Sequence, residues 1–207
     1  SKIVSDREVR RKIWQMGDSV FRDAQPNPAH YAIAEIEKMG KLDRLITQNV
    51  DNLHQMAGNS SSRILELHGN MREAVCLSCH RRFTYDEIRQ RVRSGDEAPE
   101  CHFCHGILKP AGIFFGEPLP KRELDEATDH SRRADTFMIT GSTLEVYPAA
   151  LMPQYALQSG ARLIIINLSE TPLDSRATIL LRGKAGEILP QIVSRAKKKL
   201  FKESREK

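Results

Sequence analysis

From Leu42 onward three short unbroken β-prone runs appear: Arg44-Leu45-Ile46-Thr47, Thr136-Phe137-Met138-Ile139-Thr140 and Arg162-Leu163-Ile164-Ile165-Ile166. Runs of this length that do not alternate predict strands covered on both faces. Each follows a helix-like stretch and ends in small or polar residues: Gln48-Asn49-Val50-Asp51, Gly141-Ser142-Thr143 and Asn167-Leu168-Ser169. Parallel strands bring such ends to one edge, the edge at which open α/β sheets bind ligands. The pattern therefore predicts an α/β fold, a doubly wound, Rossmann-like, mostly parallel sheet with polar loops on one rim. Residues 1–40 read differently. Asp6 can cap a helix through Val9, Ile13 and Trp14, and Pro26-Asn27-Pro28 breaks the chain. A second helix then places Ala29, Ala32, Ile33, Ile36 and Met39 on one apolar face and stops at Gly40.

The sheet pattern is interrupted by all four cysteines of the chain, Cys76-x2-Cys79 and Cys101-x2-Cys104, with 21 residues between the pairs. Each pair is a knuckle that aims two thiolates at one point, and two knuckles complete a tetrahedron around Zn²⁺. With four protein ligands the metal has no open position, so it is structural and the chemistry lies elsewhere. The insert between Met71 and about Lys109 has few large apolar residues, and the metal is expected to hold it together. The predicted organisation is a Rossmann-like domain from residues 1–70 and 110–195, a zinc-binding module at 71–109 and a basic tail at 196–207. His80, His102 and His105 lie beside a filled metal shell and read as surface groups.

At 207 residues the chain can build one core plus a small module. No apolar run approaches the ~20 residues that cross a bilayer. The start lacks the pattern of a secretory signal. Paired knuckles with no other cysteine fit a reducing compartment, so the protein reads as intracellular and cytoplasmic. Arg195 to Lys207 carries seven Lys/Arg against two Glu, a surplus of five that equals the net charge, so the other 194 residues sum to zero. The basic character belongs to one helix end, and nucleic acid is not the expected partner.

His68, in Leu65-Glu66-Leu67-His68-Gly69, follows a short apolar run and precedes a glycine. Imidazoles exchange protons near neutral pH, which suits general-base work; a hydrogen-bonded structural histidine is the alternative. Gly69 would let the backbone approach a ligand. Gln48, Asn49 and Asp51 offer amide and carboxylate groups that suit a carboxamide and ribose hydroxyls, or else form an ordinary capped loop. Gly141-Ser142-Thr143 can cradle a phosphate or ribose through backbone N–H groups.

The order of these pieces carries more than any of them alone. Thr47 to His54, Ala57-Gly58, Glu66 to Gly69, the cysteine pairs, Pro110-Ala111-Gly112-Ile113-Phe114-Phe115-Gly116-Glu117, Gly141 to Ala149, Asn167 and Gly183-Lys184-Ala185 follow one another along the chain. The set resembles the sirtuins, NAD-dependent protein lysine deacylases, from about residue 26 to 193. The resemblance implies His68 as catalytic base. It implies NAD contacts at Gln48, Asn49, Val50, Asp51, Gly141, Ser142, Thr143, Asn167, Leu168, Ser169 and Ala185. It further implies that an acyl-lysine peptide adds as a strand along Ile113, Phe115, Gly116 and Glu117, with Val146 opposite. The implied products are free lysine, nicotinamide and O-acyl-ADP-ribose. Sirtuins open with a strand and a glycine-rich turn, and no such cluster precedes Gly40 here. The first strand is thus expected to be missing, with weak NAD binding and little activity for these 207 residues. A non-catalytic zinc-ribbon module that binds protein or nucleic acid is the competing expectation.

Overall fold

The structure, a computed structural model, describes residues 2–21, 23–114 and 116–203. Several of its helices begin where a polar side chain meets the first free N–H groups. Asp6 Oδ1 accepts from Glu8 and Val9 N–H at 2.9 and 3.3 Å, between the single turn α1 (Lys2–Ser5) and α2 (Arg7–Phe21). Asn27 caps α3 (Pro28–Lys38), accepting from Ala29 N–H at 2.9 Å, while His30 Nδ1 accepts the Asn27 N–H at 3.2 Å. Gly40, at φ +67°, takes the left-handed conformation just past that helix. There follow β1 (Leu45–Thr47), α4 (Leu53–Met56), β2 (Ile64–Glu66), β3 (Glu73–Cys76), β4 (Arg82–Thr84), α5 (Tyr85–Arg93) and β5 (Leu108–Pro110). The rest of the chain forms α6 (Lys121–Arg133), β6 (Thr136–Thr140), α7 (Met152–Gln158), β7 (Arg162–Asn167), β8 (Ile179–Arg182) and α8 (Ala185–Glu203).

These elements group into two compact units. One comprises Pro26–Thr47, Leu53–Leu67 and the described residues from Lys121 on. It holds a parallel pair, β1–β2, and a parallel three-stranded sheet in the order β6–β7–β8. The expected parallel α/β fold is present, and the three predicted strands appear within a residue of their expected limits. Ala29, Ala32 and Ile33 of α3 pack with Leu189 and Val193 of α8 and Ile166 of β7 in one core cluster. Leu163, Ile165, Ile139 and Ala150 belong to a second. β7 thus faces apolar partners on both sides, which is why its sequence runs apolar without alternation.

The other unit comprises the described residues up to Gln25, Gln48–Asn52 and His68–Pro120. Its sheet is antiparallel, β4–β3–β5, with Cys76 opposite Leu108 and Val75 opposite Lys109. Thr84 and Glu87 form a capping box at the start of α5. Trp14, Ala74, Cys76, Phe83, Ile88, Cys101 and Leu108 make its core cluster, so two metal-site cysteines also serve as packing residues. Among the described residues no helix is long and apolar enough to cross a membrane.

Candidate active site

The residues that follow β1 and β2 in the chain, Gln48–Asn52 and His68–Arg72, are stitched to each other. His68 is half-buried, and its Nδ1 lies 3.0 Å from the Gln48 carbonyl oxygen. A carbonyl can only accept, so the proton of a neutral His68 sits on Nδ1 and Nε2 keeps its lone pair. Met71 N–H donates to Val50 O at 2.9 Å, and Arg72 Nε donates to Asp51 O at 2.9 Å. Asn70 Nδ2 reaches Asn52 Oδ1 at 3.3 Å while Asn70 Oδ1 accepts the Arg72 N–H at 2.7 Å. Gln48, Val50 and Asp51 are half-buried and Asn49 is exposed.

The same unit ties His68 to the Ile113 segment. Ile113 N–H donates to the His68 carbonyl at 2.8 Å. Gly69 sits at φ +68°, and a Cβ there would lie 2.2 Å from Ala111 O. The glycine is therefore required by the chain's own close packing, a reason the sequence did not disclose. Ile113 is half-buried and Gly116 exposed; Phe115 lies outside the described residues. Glu117 turns its carboxylate inward, toward Lys109 Nζ at 2.5 Å and Phe114 N–H at 3.1 Å. Lys109, Asn70 and Arg72 were not singled out from sequence. Their partners are distant in the chain or on the backbone, and no local spacing signals them.

In the parallel unit the loops after β6, β7 and β8 lie at the carboxyl ends of adjacent strands; two of them, Gly141–Thr143 and Asn167–Ser169, are loops predicted from sequence, and the third predicted loop, Gln48–Asp51, belongs to the other unit. Gly141 N–H donates to Ile166 O at 3.1 Å, and Gly183 N–H to Asn167 O at 3.2 Å, so the loops after β6, β7 and β8 are neighbours. Ser142 Oγ accepts the Leu144 N–H at 3.2 Å and Thr143 Oγ1 donates to Glu145 at 2.9 Å. Buried Asn167 donates through Nδ2 to Ser169 O at 3.0 Å, which fixes the turn that leaves Leu168 and Ser169 exposed. Ala185 opens α8 at this same edge, where a helix N-terminus presents free N–H groups. Val146 belongs to this unit too and is 53% exposed.

The four cysteine sulfurs all lie within 4.8 Å of one another. Cys76 and Cys104 Sγ are 3.5 Å apart, and Cys79 and Cys101 Sγ 3.7 Å apart. A disulfide would need about 2.05 Å; a Zn–S bond of about 2.3 Å gives tetrahedral edges of about 3.8 Å. Burial pushes the Cys76 thiol up, but the N–H groups of Cys79 and Ser78 and the neighbouring sulfurs outweigh it and bring it to about 6. At Cys104 the Gly106 N–H pulls down, yet Cys79 and Cys76 leave it pushed up to about 12. Four thiolates cannot share this space without a cation, so the donor set fits a metal ion. His80 and His105 each follow a knuckle at φ +59° and +58°, and their N–H groups donate to Cys76 O and Cys101 O. They shape the knuckles through their backbone.

The sequence profile of the Sir2 family matches residues 2–148. The chain belongs to the Sir2 family. It is 46% identical over 193 residues to the NAD-dependent protein deacylase 2 of Archaeoglobus fulgidus, covering 91% of this chain and 74% of that one. It is 40% identical over 203 residues to the NAD-dependent protein deacetylase of Thermodesulfovibrio yellowstonii, covering 97% and 78%. Among solved structures, Sir2Tm bound to a propionylated peptide superposes with a TM-score of 0.83 at 35% identity, over 91% of this chain and 80% of that one. Sir2Af2 bound to a myristoylated histone peptide gives 0.80 at 44% identity, over 93% and 81%. Sir2 membership and the fold agree, and the cysteine cluster lies inside the matched segment.

Proposed function

We infer that the chain is an NAD-dependent protein lysine deacylase in which His68 is the general base. The observation that carries this reading is the contact between His68 Nδ1 and the Gln48 carbonyl, which leaves Nε2 free to accept a proton. NAD, when bound, would supply an electrophilic ribose carbon with nicotinamide as leaving group and, with one water consumed, would carry the acyl group away as O-acyl-ADP-ribose. His68 Nε2 removes the proton from a ribose hydroxyl. The Ile113 N–H bond to the His68 carbonyl keeps the imidazole in register with the peptide segment. Orientation of this kind supplies a large part of enzymatic rate enhancement. Gln48 to Asp51 are assigned to the nicotinamide ribose, and Gly141 to Thr143, Asn167 to Ser169 and Ala185 to the remainder of the cofactor. The substrate is an acyl-lysine peptide pairing through its main chain with the segment from Ile113 to Glu117. Zn²⁺ is the metal assigned to Cys76, Cys79, Cys101 and Cys104, since four thiolates in a closed tetrahedron select it. A thiolate site of this kind supports a reducing compartment, and the cytoplasm is the location assigned in this reading.

The test is release of nicotinamide from NAD in the presence of an acetyl-lysine peptide. His68→Ala should lower the rate by about 10²–10⁴-fold. Deacylation that proceeds without NAD, or at full rate in His68→Ala, would overturn the reading.

A further inference from the structure

Lys109 sits on β5, opposite Val75, with a side chain only 10% exposed. A lysine this buried needs a partner of opposite charge and further acceptors, or its desolvation is uncompensated. It has both. Nζ donates to Glu117 Oε2 at 2.5 Å and to the Gly112 carbonyl at 3.2 Å. The ammonium also lies 5.0 Å from the centre of the Phe114 ring, within range of a cation–π contact. Glu117, with a side chain 22% exposed, accepts the Phe114 N–H at 3.1 Å through the same carboxylate oxygen. Its own N–H donates to Phe114 O at 2.9 Å.

The backbone groups used in this way are informative. Gly112 O, Phe114 N–H, Phe114 O and Glu117 N–H are all turned into the loop by the ion pair or by the turn it closes, and Ile113 N–H is held by His68. A peptide that adds as a strand reads main-chain groups at alternating positions, so register depends on which groups point outward. The ion pair fixes that choice. Lys109 neighbours Leu108, whose partner across the sheet is Cys76, so the clasp is anchored on the sheet that carries the cysteines.

We propose that the Lys109–Glu117 ion pair is a positioning clasp that shapes Gly112–Phe114, Gly116 and Glu117 for acyl-peptide binding, so that Lys109 and Glu117 determine peptide affinity without touching NAD. The inference rests on the deacylase reading, because it requires an acyl-peptide along this segment. It assigns Glu117 a role through Lys109 and the backbone in place of direct peptide contact.

The test uses the full chain and two direct titrations: a fluorescein-labelled acetyl-lysine peptide followed by anisotropy, and NAD followed by calorimetry. Lys109→Met and Glu117→Ala should each weaken peptide binding about tenfold, and the double variant should be no worse than the weaker single. Lys109→Arg, which keeps the charge and both donors, should bind peptide within about threefold of wild type. NAD affinity should stay unchanged in all four. Unchanged peptide affinity in Lys109→Met and Glu117→Ala overturns the proposal, and so does NAD affinity that falls in step with peptide affinity. If Lys109→Met does not fold, Glu117→Ala and Lys109→Arg decide by the same criteria. A wild-type chain that binds peptide but releases no nicotinamide overturns the deacylase reading alone; one that binds no peptide overturns both.

Discussion

Gly40 and Gly69 have almost the same backbone angle, φ +67° and +68°, in different surroundings. At Gly40 an added Cβ meets nothing within 4 Å, whereas at Gly69 it would lie 2.2 Å from Ala111 O and 3.1 Å from its carbonyl carbon. Gly40→Ala therefore carries only the left-handed conformational cost, about 1–2 kcal/mol. Gly69→Ala adds a backbone collision that the Ile113–His68 hydrogen bond prevents from relaxing, and should cost about 3–5 kcal/mol. Urea denaturation of the two variants checks this, and equal losses would contradict the packing account. From sequence, a glycine beside a histidine suggests close approach by a ligand; the fold adds a reason of its own, the close approach of the Ala111 backbone. His68 is a similar case. Residue type alone marks it as a group able to exchange protons near neutral pH, while the tautomer needed the Gln48 carbonyl, 20 positions away in the chain.

At the scale of elements, legibility followed length and burial. β6 and β7 were read correctly because both faces are covered and the apolar run is continuous. β8 was not, because Ile179 and Leu180 are exposed on the last strand of their sheet and the run carries no burial signature. β3, β4 and β5 are three or four residues long, too short for an alternating pattern to stand out. The apolar face predicted for α3 is the one that packs on α8, but its polar side does something the pattern could not show. Glu37 accepts from Asn59 Nδ2 at 2.7 Å and from Ser60 N–H at 3.1 Å, tying α3 to the turn before β2. Burial raises the Glu37 carboxyl, but the Ser60 and Asn59 donors and the Arg63 charge outweigh it and hold it below its ordinary value of 4.5. A carboxylate whose folded value is lowered stabilises the native state above its unfolded value and loses that contribution as pH falls through the folded one. Stability should thus decline as pH drops below about 4.5, and Glu37→Gln should flatten that limb while lowering stability at neutral pH. Thermal unfolding at a series of pH values reads both effects; an unaltered acid limb in the variant would remove Glu37 from the account.

For the whole molecule, the four cysteines could be read as one site because every cysteine in the chain joins the pattern and their spacing is local. The grouping of the N-terminal helices with that site was not readable. An amphipathic helix announces an apolar face, and which sheet or helix covers it is settled by tertiary packing. The consequence is specific. Trp14, the single tryptophan of the chain, is 3% exposed and shares a core cluster with Cys76 and Cys101. That cluster has seven buried members, two of them cysteines, so the unit draws much of its stability from whatever holds the sulfurs together. Structural zinc in such modules contributes on the order of 10 kcal/mol, as much as the apolar side chains that surround it at about 1.5–3 kcal/mol each. Chelation should therefore release one metal per chain and shift Trp14 emission to the red in the same transition. The parallel unit, whose two core clusters contain no cysteine, should keep its circular-dichroism signal through that step and unfold separately on heating. β5 carries Leu108 against Cys76 and Lys109 toward Glu117, so acyl-peptide affinity should fall along with the emission shift. Metal release that leaves Trp14 emission in place would mean that apolar packing alone sustains this core, and the cysteine cluster would lose its role as the support of the peptide segment.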